Sequence, residues 1–212
     1  MTSQKDAFLA VEGDAWFKRN VAALEARDWS GDPICMQLAK IEAGRAVDVL
    51  EIGCGDGSRL SYLHSSANHR VSGVDPSASA VARAKQRGVD AQQATAERLP
   101  FGDGAFDVVI FGFCLYLCDD SDLFRIASEA DRVLVDPGWL LILDFDARAP
   151  VYKPYHHAAG LVSRKMDYGS LFAWHPAYTL VEYQKFHHVS KQWTDDPDEW
   201  VSLACFRKRL RM

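Results

Sequence analysis

The sequence predicts an α/β fold of the doubly wound kind, a mostly parallel sheet with helices on both faces, from three observations. An aliphatic run, Val47, Val49, Leu50 and Ile52, passes straight into Gly53, Gly55 and Gly57 and then into a helical stretch. A second short apolar run ends at an acid, Asp75, about 20 residues further on. From there to Phe145, apolar runs of strand length alternate with amphipathic segments of helix length.

Residues 1–44 carry Phe8, Leu9, Trp16, Phe17, Val21 and Leu24 near i, i+4 and i+7 spacing, which predicts one or two amphipathic helices over the sheet edge. Packing is the plain reading of Trp16 and Phe17. The run at 47–52 suits a strand covered on both faces. The glycines after it let the backbone turn sharply and come close to a ligand, and the helix from Ser58 aims free N–H groups into the same crevice. Strand, glycine loop and helix make a nucleotide-type site at the carboxyl end of a parallel strand. The spacing Glu51-x-Gly53-x-Gly55-x-Gly57 places the third glycine one residue earlier than in the dinucleotide fingerprint. No Lys-Ser/Thr pair follows, which excludes a phosphate-cradling P-loop.

The remaining elements follow in order. Residues 59–65 form the first crossover helix, 71–74 the second strand, 77–86 a helix ended by Gly88, and 89–94 a short polar strand suited to an edge. Asp75 ends the second strand, where a carboxylate accepts both hydroxyls of a ribose; its competing role is a turn or helix-cap residue before Pro76. Residues 106–111 are the fourth strand, and 122–134 a helix with Leu123, Ile126, Ala130, Val133 and Leu134 on one face. Residues 140–145 are the fifth strand, and 178–189 and 200–207 an antiparallel pair. The stretch 146–177 breaks the rhythm, dense in aromatics, histidine and proline, and a connection of that length is usually functional.

Taken jointly, these stretches resemble the class I S-adenosylmethionine-dependent methyltransferases. Glu51-x-Gly53-x-Gly55-x-Gly57 is similar to the family's first motif, and Asp75 to its ribose-binding acid. Ala96-Glu97-Arg98-Leu99-Pro100-Phe101 resembles its segment beside the adenine. Phe106-Asp107-Val108-Val109-Ile110 resembles its fourth strand, and the run from Arg132 to Leu140 its turn into the fifth.

The resemblance implies a Rossmann-like, seven-stranded sheet of order 3-2-1-4-5-7-6 and S-adenosylmethionine as cofactor, with S-adenosylhomocysteine as product. It divides a single domain, 1–212, into an N-terminal helical cap (1–44), a cofactor-binding core (45–145), a substrate lid (146–177) and a closing strand pair (178–208). The cofactor residues it implies are Glu51, Gly53, Cys54, Gly55, Gly57, Asp75, Pro76, Thr95, Ala96, Glu97, Phe111 and Gly112. Trp16, Phe17 and Asn20 are implied to close over the cofactor. Thr95 departs from the family, which has an aspartate there to accept the adenine amino group; a neutral hydroxyl holds it less strongly. Tyr116 stands where many relatives carry histidine.

The expected activity is in-line methyl transfer to an oxygen or nitrogen nucleophile of a small molecule. The expected proton acceptors are His157 and His156, ahead of His175, with Tyr116 and Tyr155 as orienting groups. The alternatives are a non-catalytic S-adenosylmethionine-binding subunit, or a methyltransferase acting on RNA or protein. A net charge of −5 argues against a broad nucleic-acid surface, and Arg207, Lys208, Arg209 and Arg211 read as a solvated C-terminal patch. Five cysteines without a Cys-x-x-Cys pair suit a reduced compartment and give no zinc site. The pairs His156-His157 and His187-His188 are set aside as metal ligands, since neighbours in a strand face opposite ways. Without a signal-peptide core or a membrane-length apolar run, the expectation is a cytoplasmic monomer or homodimer.

Overall fold

The first strand, β1 (Asp48–Ile52), is aliphatic on both faces because it is covered on both faces. It pairs in parallel with β2 (Arg70–Asp75) on one side and β4 (Phe106–Gly112) on the other. The computed structural model describes residues 3–42 and 44–209. Beyond β2 lies the short, polar edge strand β3 (Asp90–Gln93), and beyond β4 lies β5 (Leu134–Phe145), both parallel. The strands β8 (Tyr178–His187) and β9 (Trp200–Lys208) complete the sheet, β9 antiparallel to both β5 and β8. Counting only the strands of this sheet, the order is the expected 3-2-1-4-5-7-6.

Helices cover both faces. On one, α3 (Pro33–Ile41), α4 (Ser58–Ala67) and α5 (Ala78–Gln86) bury Leu38, Leu60 and Val81 against Val49, Val108 and Leu141. On the other, α6 (Leu123–Val133) and the single turn α7 (Ser170–Ala173) bury Ile126, Val133 and Phe172 against Leu50, Val109 and Leu140. The strand after α6 begins at Leu134 and not at 140, because Leu134 already pairs with Phe106. Ahead of the sheet come α1 (Gln4–Ala7), a π-helical turn (Phe8–Glu12) and α2 (Gly13–Glu25).

The stretch 146–177, expected as a substrate lid, forms instead the hairpin of β6 (Val151–Pro154) and β7 (Val162–Lys165), followed by α7. The hairpin packs against the N-terminal helices and against the segment after β4, where buried Arg164 pairs with Asp119 and Asp120. Gln4 clamps it, its Nε2 donating to Val162 O at 2.9 Å and its Oε1 accepting from Val162 N at 3.0 Å. Phe8, Tyr155 and Leu161 form a small apolar cluster under that clamp.

Of the basic C-terminal residues, Lys208 and Arg207 are held by the fold, whereas Arg209 is exposed as expected. Lys208 Nζ donates to Asp131 O and Leu134 O, and Arg207 lies over the Trp139 ring; Arg211 lies outside the described residues. Among the described residues, no helix is long and apolar enough to cross a membrane.

Candidate functional site

The carboxyl ends of β1, β2 and β4 open into a cavity of about 690 Å³ beneath α2, within the size range of small-molecule clefts. Its floor is the glycine loop. Gly53 N and Cys54 N both donate to Val74 O, and Gly55 N donates to Asp75 Oδ2 at 2.9 Å. Two glycines two residues apart do different work there. A Cβ on Gly53 would come within 2.5 Å of Cys114 Cβ, so that glycine lets the loops after β1 and β4 approach each other. At Gly55, with φ of +53°, the nearest atom to a new Cβ is Leu24 Cδ1 at 4.0 Å, so this backbone is bared to the cavity. Gly57, expected at the cofactor, packs against Ala84 and Val89 and is not part of the wall.

Two acidic centres stand on this floor. Asp75 accepts N–H bonds from Gly55 and from Ser77, one on each oxygen, and burial pushes it up to about 6 against both bonds. Glu51 is buried and paired with Arg59, whose Nε also meets Asp32 Oδ1 at 3.1 Å. Burial lifts Glu51 to about 7 against the pull of Arg59. Burial also opposes the charge on Arg59, but Glu51 and Asp32 outweigh it and hold the guanidinium above its usual range. Glu51 Oε2 is left as a buried oxygen without a partner. A Cβ on Gly112 would meet the ends of both Arg59 and Glu51, so glycine lets β4 pass the pair without displacing it. Trp29 stacks on Arg59 and Arg27.

The groove between β2 and the segment after β3 is lined by Pro76, Thr95, Ala96 and Glu97. Thr95 Oγ1 donates to Glu97 Oε1 at 2.7 Å, so the hydroxyl's proton is spent on Glu97 and its oxygen remains an acceptor.

At the far end the wall turns aromatic. Phe113, at φ of +60°, and Tyr116 both stand edge-on to Phe145, with ring centroids 5.3 and 5.0 Å away. This turn is pinned by buried Asp144, which accepts N–H bonds from Leu115 and Phe145 at 2.8 Å each. Burial pushes Asp144 up to about 7 and raises Tyr116 well above the ordinary phenol range. Tyr116 is therefore a neutral hydroxyl near neutral pH, able to orient a ligand but not to act as a phenolate base.

Several expectations move. Phe111, expected at the cofactor, is fully buried in the core on the α6 face, and its neighbours Gly112 and Phe113 line the cavity instead. His156 and His157 sit exposed in the β6–β7 turn and no residue from 146–177 reaches the wall, so a proton-transfer role for them has no geometric support. His175 is likewise off the wall, its Nδ1 accepting from Ala177 N. Trp16 and Asn20 do line the cavity, whereas Phe17 does not.

The wall also holds Arg59, Trp29, His188 and Lys191, none of them among the expected site residues. Arg59 carried a readable signal, a basic residue in the first turn of the helix after the glycine loop. His188 and Lys191 carried none, since the turn leaving edge strand β8 gives no local hint that it folds back to the site.

The nucleoside cofactor that the sequence resemblance implies is testable against these residues. An orphaned carboxylate oxygen beside a guanidinium suits a group bearing both an ammonium and a carboxylate. Each Asp75 oxygen keeps a lone pair free for a vicinal hydroxyl, and the Gly55 backbone beside it is bared to the cavity. The residues fit.

Comparison with known proteins agrees. Residues 50–142 match the family model described as a methyltransferase domain. Over 112 residues the chain is 34% identical to the ubiquinone/menaquinone biosynthesis C-methyltransferase UbiE of Desulfotalea psychrophila, covering 50% of this chain and 45% of that protein. It is 32% identical over 125 residues to the UbiE of Rubrivivax gelatinosus, covering 58% and 48%. The chain thus spans about half the length of these curated relatives. Among solved structures, the 1,6-didemethyltoxoflavin-N1-methyltransferase of Burkholderia thailandensis superposes with a TM-score of 0.70. That match is 18% identical and covers 99% of this chain and 92% of the other, a likeness of fold.

Proposed function

We propose that this chain, which through residues 50–142 belongs to the class I S-adenosylmethionine-dependent methyltransferases, binds S-adenosylmethionine in the cavity and transfers its methyl group to a small planar acceptor. The observation that carries the reading is the assembly of bared Gly55, two-oxygen Asp75 and the Glu51–Arg59 pair on one cavity floor. Asp75 would take the ribose hydroxyls, and Glu51 with Arg59 the charged amino-acid end. Thr95, Glu97 and Pro76 would flank the base. When bound, S-adenosylmethionine supplies a methyl on positively charged sulfur, which departs as a neutral thioether.

The protein's task is then alignment and exclusion of water. Holding the acceptor in line is worth roughly 7–11 kcal/mol by proximity alone. Trp16 above and Phe113, Tyr116 and Phe145 at the far end supply faces for a flat ring. The acceptor atom is read as oxygen or nitrogen. A carbon acceptor is the second reading, favoured by the UbiE relatives, whose name describes C-methylation.

Calorimetry tests the first step: S-adenosylmethionine should give a binding isotherm and NAD none. Silence with S-adenosylmethionine would remove the proposal. Release of S-adenosylhomocysteine across an acceptor panel tests the second step; binding without turnover would favour a non-catalytic subunit.

A further inference from the structure

We infer that His188 and Glu199 form the proton-accepting dyad of this site, which makes the acceptor a neutral hydroxyl on a flat ring. The inference rests on the methyl-transfer reading above and names the chemistry on its acceptor side.

The sheet brings the two residues together. His187 pairs with Trp200 and Phe145 with Val201, so His188 and Glu199 each lie one residue past the last pair, at the carboxyl edge of β5. His188 N donates to Glu199 O at 3.1 Å, and His188 Nδ1 lies 2.7 Å from Glu199 Oε2. A ring nitrogen that close to a carboxylate carries the proton, which leaves the lone pair on Nε2. Among the described residues Nε2 has no protein partner, and His188 is the one histidine that lines the cavity. Its ring lies 6.2 Å from Phe145, the ring that Tyr116 and Phe113 also face.

His187, His188 and Glu199 lie close enough together to suggest a cation site. The hydrogen bonds argue otherwise. His187 Nδ1 accepts from Val189 N and Ser190 N, so its Nε2 carries the proton and points it at Glu199, 3.5 Å away. A nitrogen holding a proton offers no pair to a metal. His187 instead stacks on His188 at 5.1 Å and shares its carboxylate, which fixes the imidazole plane.

In the step this permits, the acceptor hydroxyl gives its proton to His188 Nε2 and a lone pair to the methyl carbon. The carbon–sulfur bonding pair stays on sulfur, so the products are a methyl ether, a neutral thioether and an imidazolium facing Glu199. His188 is the catalytic residue and Glu199 its positioning residue.

Two measurements test this. Long-range ¹H–¹⁵N correlation on the full chain, alone and with S-adenosylhomocysteine, should show His188 in the Nδ1–H tautomer, shifting toward Nε2–H in Glu199→Gln. An Nε2–H tautomer in the wild-type protein would overturn the dyad. Methyl transfer to 4-methylphenol and to 4-nitrophenol at about pH 8 then compares an un-ionised hydroxyl with one already ionised. His188→Gln should cost on the order of 10²–10⁴-fold with the first and little with the second, while the exposed His157→Gln leaves both unchanged. Equal losses on both phenols would reduce His188 to a structural role. No turnover of either phenol by a protein that binds S-adenosylmethionine would refute the hydroxyl acceptor. Absence of that binding would refute the methyl-transfer reading instead.

Discussion

Replacing each of two glycines separates the loop's structural work from its binding work. Gly53 and Gly55 both hold positive φ, +78° and +53°, a conformation that costs a side-chain-bearing residue roughly 1–2 kcal/mol. In Gly53→Ala the new methyl also meets Cys114 Cβ at 2.5 Å, and relieving such overpacking typically costs about 1–3 kcal/mol more. In Gly55→Val the new Cβ meets only Leu24 Cδ1, at 4.0 Å, so the backbone penalty dominates the expected stability loss. At roughly 2–4 °C per kcal/mol for a chain of this size, Gly55→Val should melt a few degrees low and Gly53→Ala about 4–20 °C low. Affinity should order the other way. Gly55→Val puts a side chain into the cavity beside Leu24 and should abolish the calorimetric signal with S-adenosylmethionine, while the Gly53→Ala protein that remains folded still binds. Differential scanning fluorimetry and titration calorimetry on both variants decide the matter. A Gly55→Val protein that binds with unaltered affinity would falsify the placement of the cofactor on this loop.

Three further outcomes follow from the buried charges. Because Asp75 lies near 6 in the free protein and its ionised form accepts the two hydroxyls, affinity for S-adenosylmethionine should fall by up to about tenfold per pH unit below 6. Titration calorimetry over that range checks it, and Asp75→Asn should bind weakly at every pH without that slope. Removing Arg59 as Arg59→Met strands Glu51 as a buried carboxylate, while Asp32 keeps Arg27 at 2.6 Å, a loss of roughly 3–5 kcal/mol by urea denaturation; a loss below about 1 kcal/mol would show that the Glu51–Arg59 pair carries little. Asp144 binds its proton more tightly folded, near 7, than unfolded, near 3.8, so its contribution makes stability fall as pH rises from about 4 to about 7. Glu51 acts with the same sign, and Asp144→Asn should flatten that slope in pH-resolved melting.

The core of the fold was legible because its determinants are local. Val49, Leu50 and Ile52 read as a buried strand, and the chain must turn at Gly53 and Gly55 whatever surrounds them. Asp75 was legible for the same reason, since the end of a strand fixes where its side chain goes. Residues 146–177 misled because aromatic and histidine density says nothing about which neighbour the segment packs on. Tyr155 and Leu161 turned out to serve Phe8, which left His156 and His157 at an exposed turn. The pair His187-His188 was set aside on strand alternation, yet β8 ends at His187 and the turn beyond it brings both rings to one carboxylate. Phe111 and Phe113 differ by two residues, and a positive φ at Phe113 decided which of that stretch lines the cavity, a backbone choice that no side-chain pattern announces.

The grip of Gln4 on Val162 means that the canopy over the cavity is braced from outside, by a ribbon that contributes nothing to the chamber's inner surface. The ribbon nevertheless backs the wall, since Arg164 of β7 meets Asp119 at 3.4 Å and Lys165 lies over the Phe145 ring, so a change along it reaches the chamber through residues that line it.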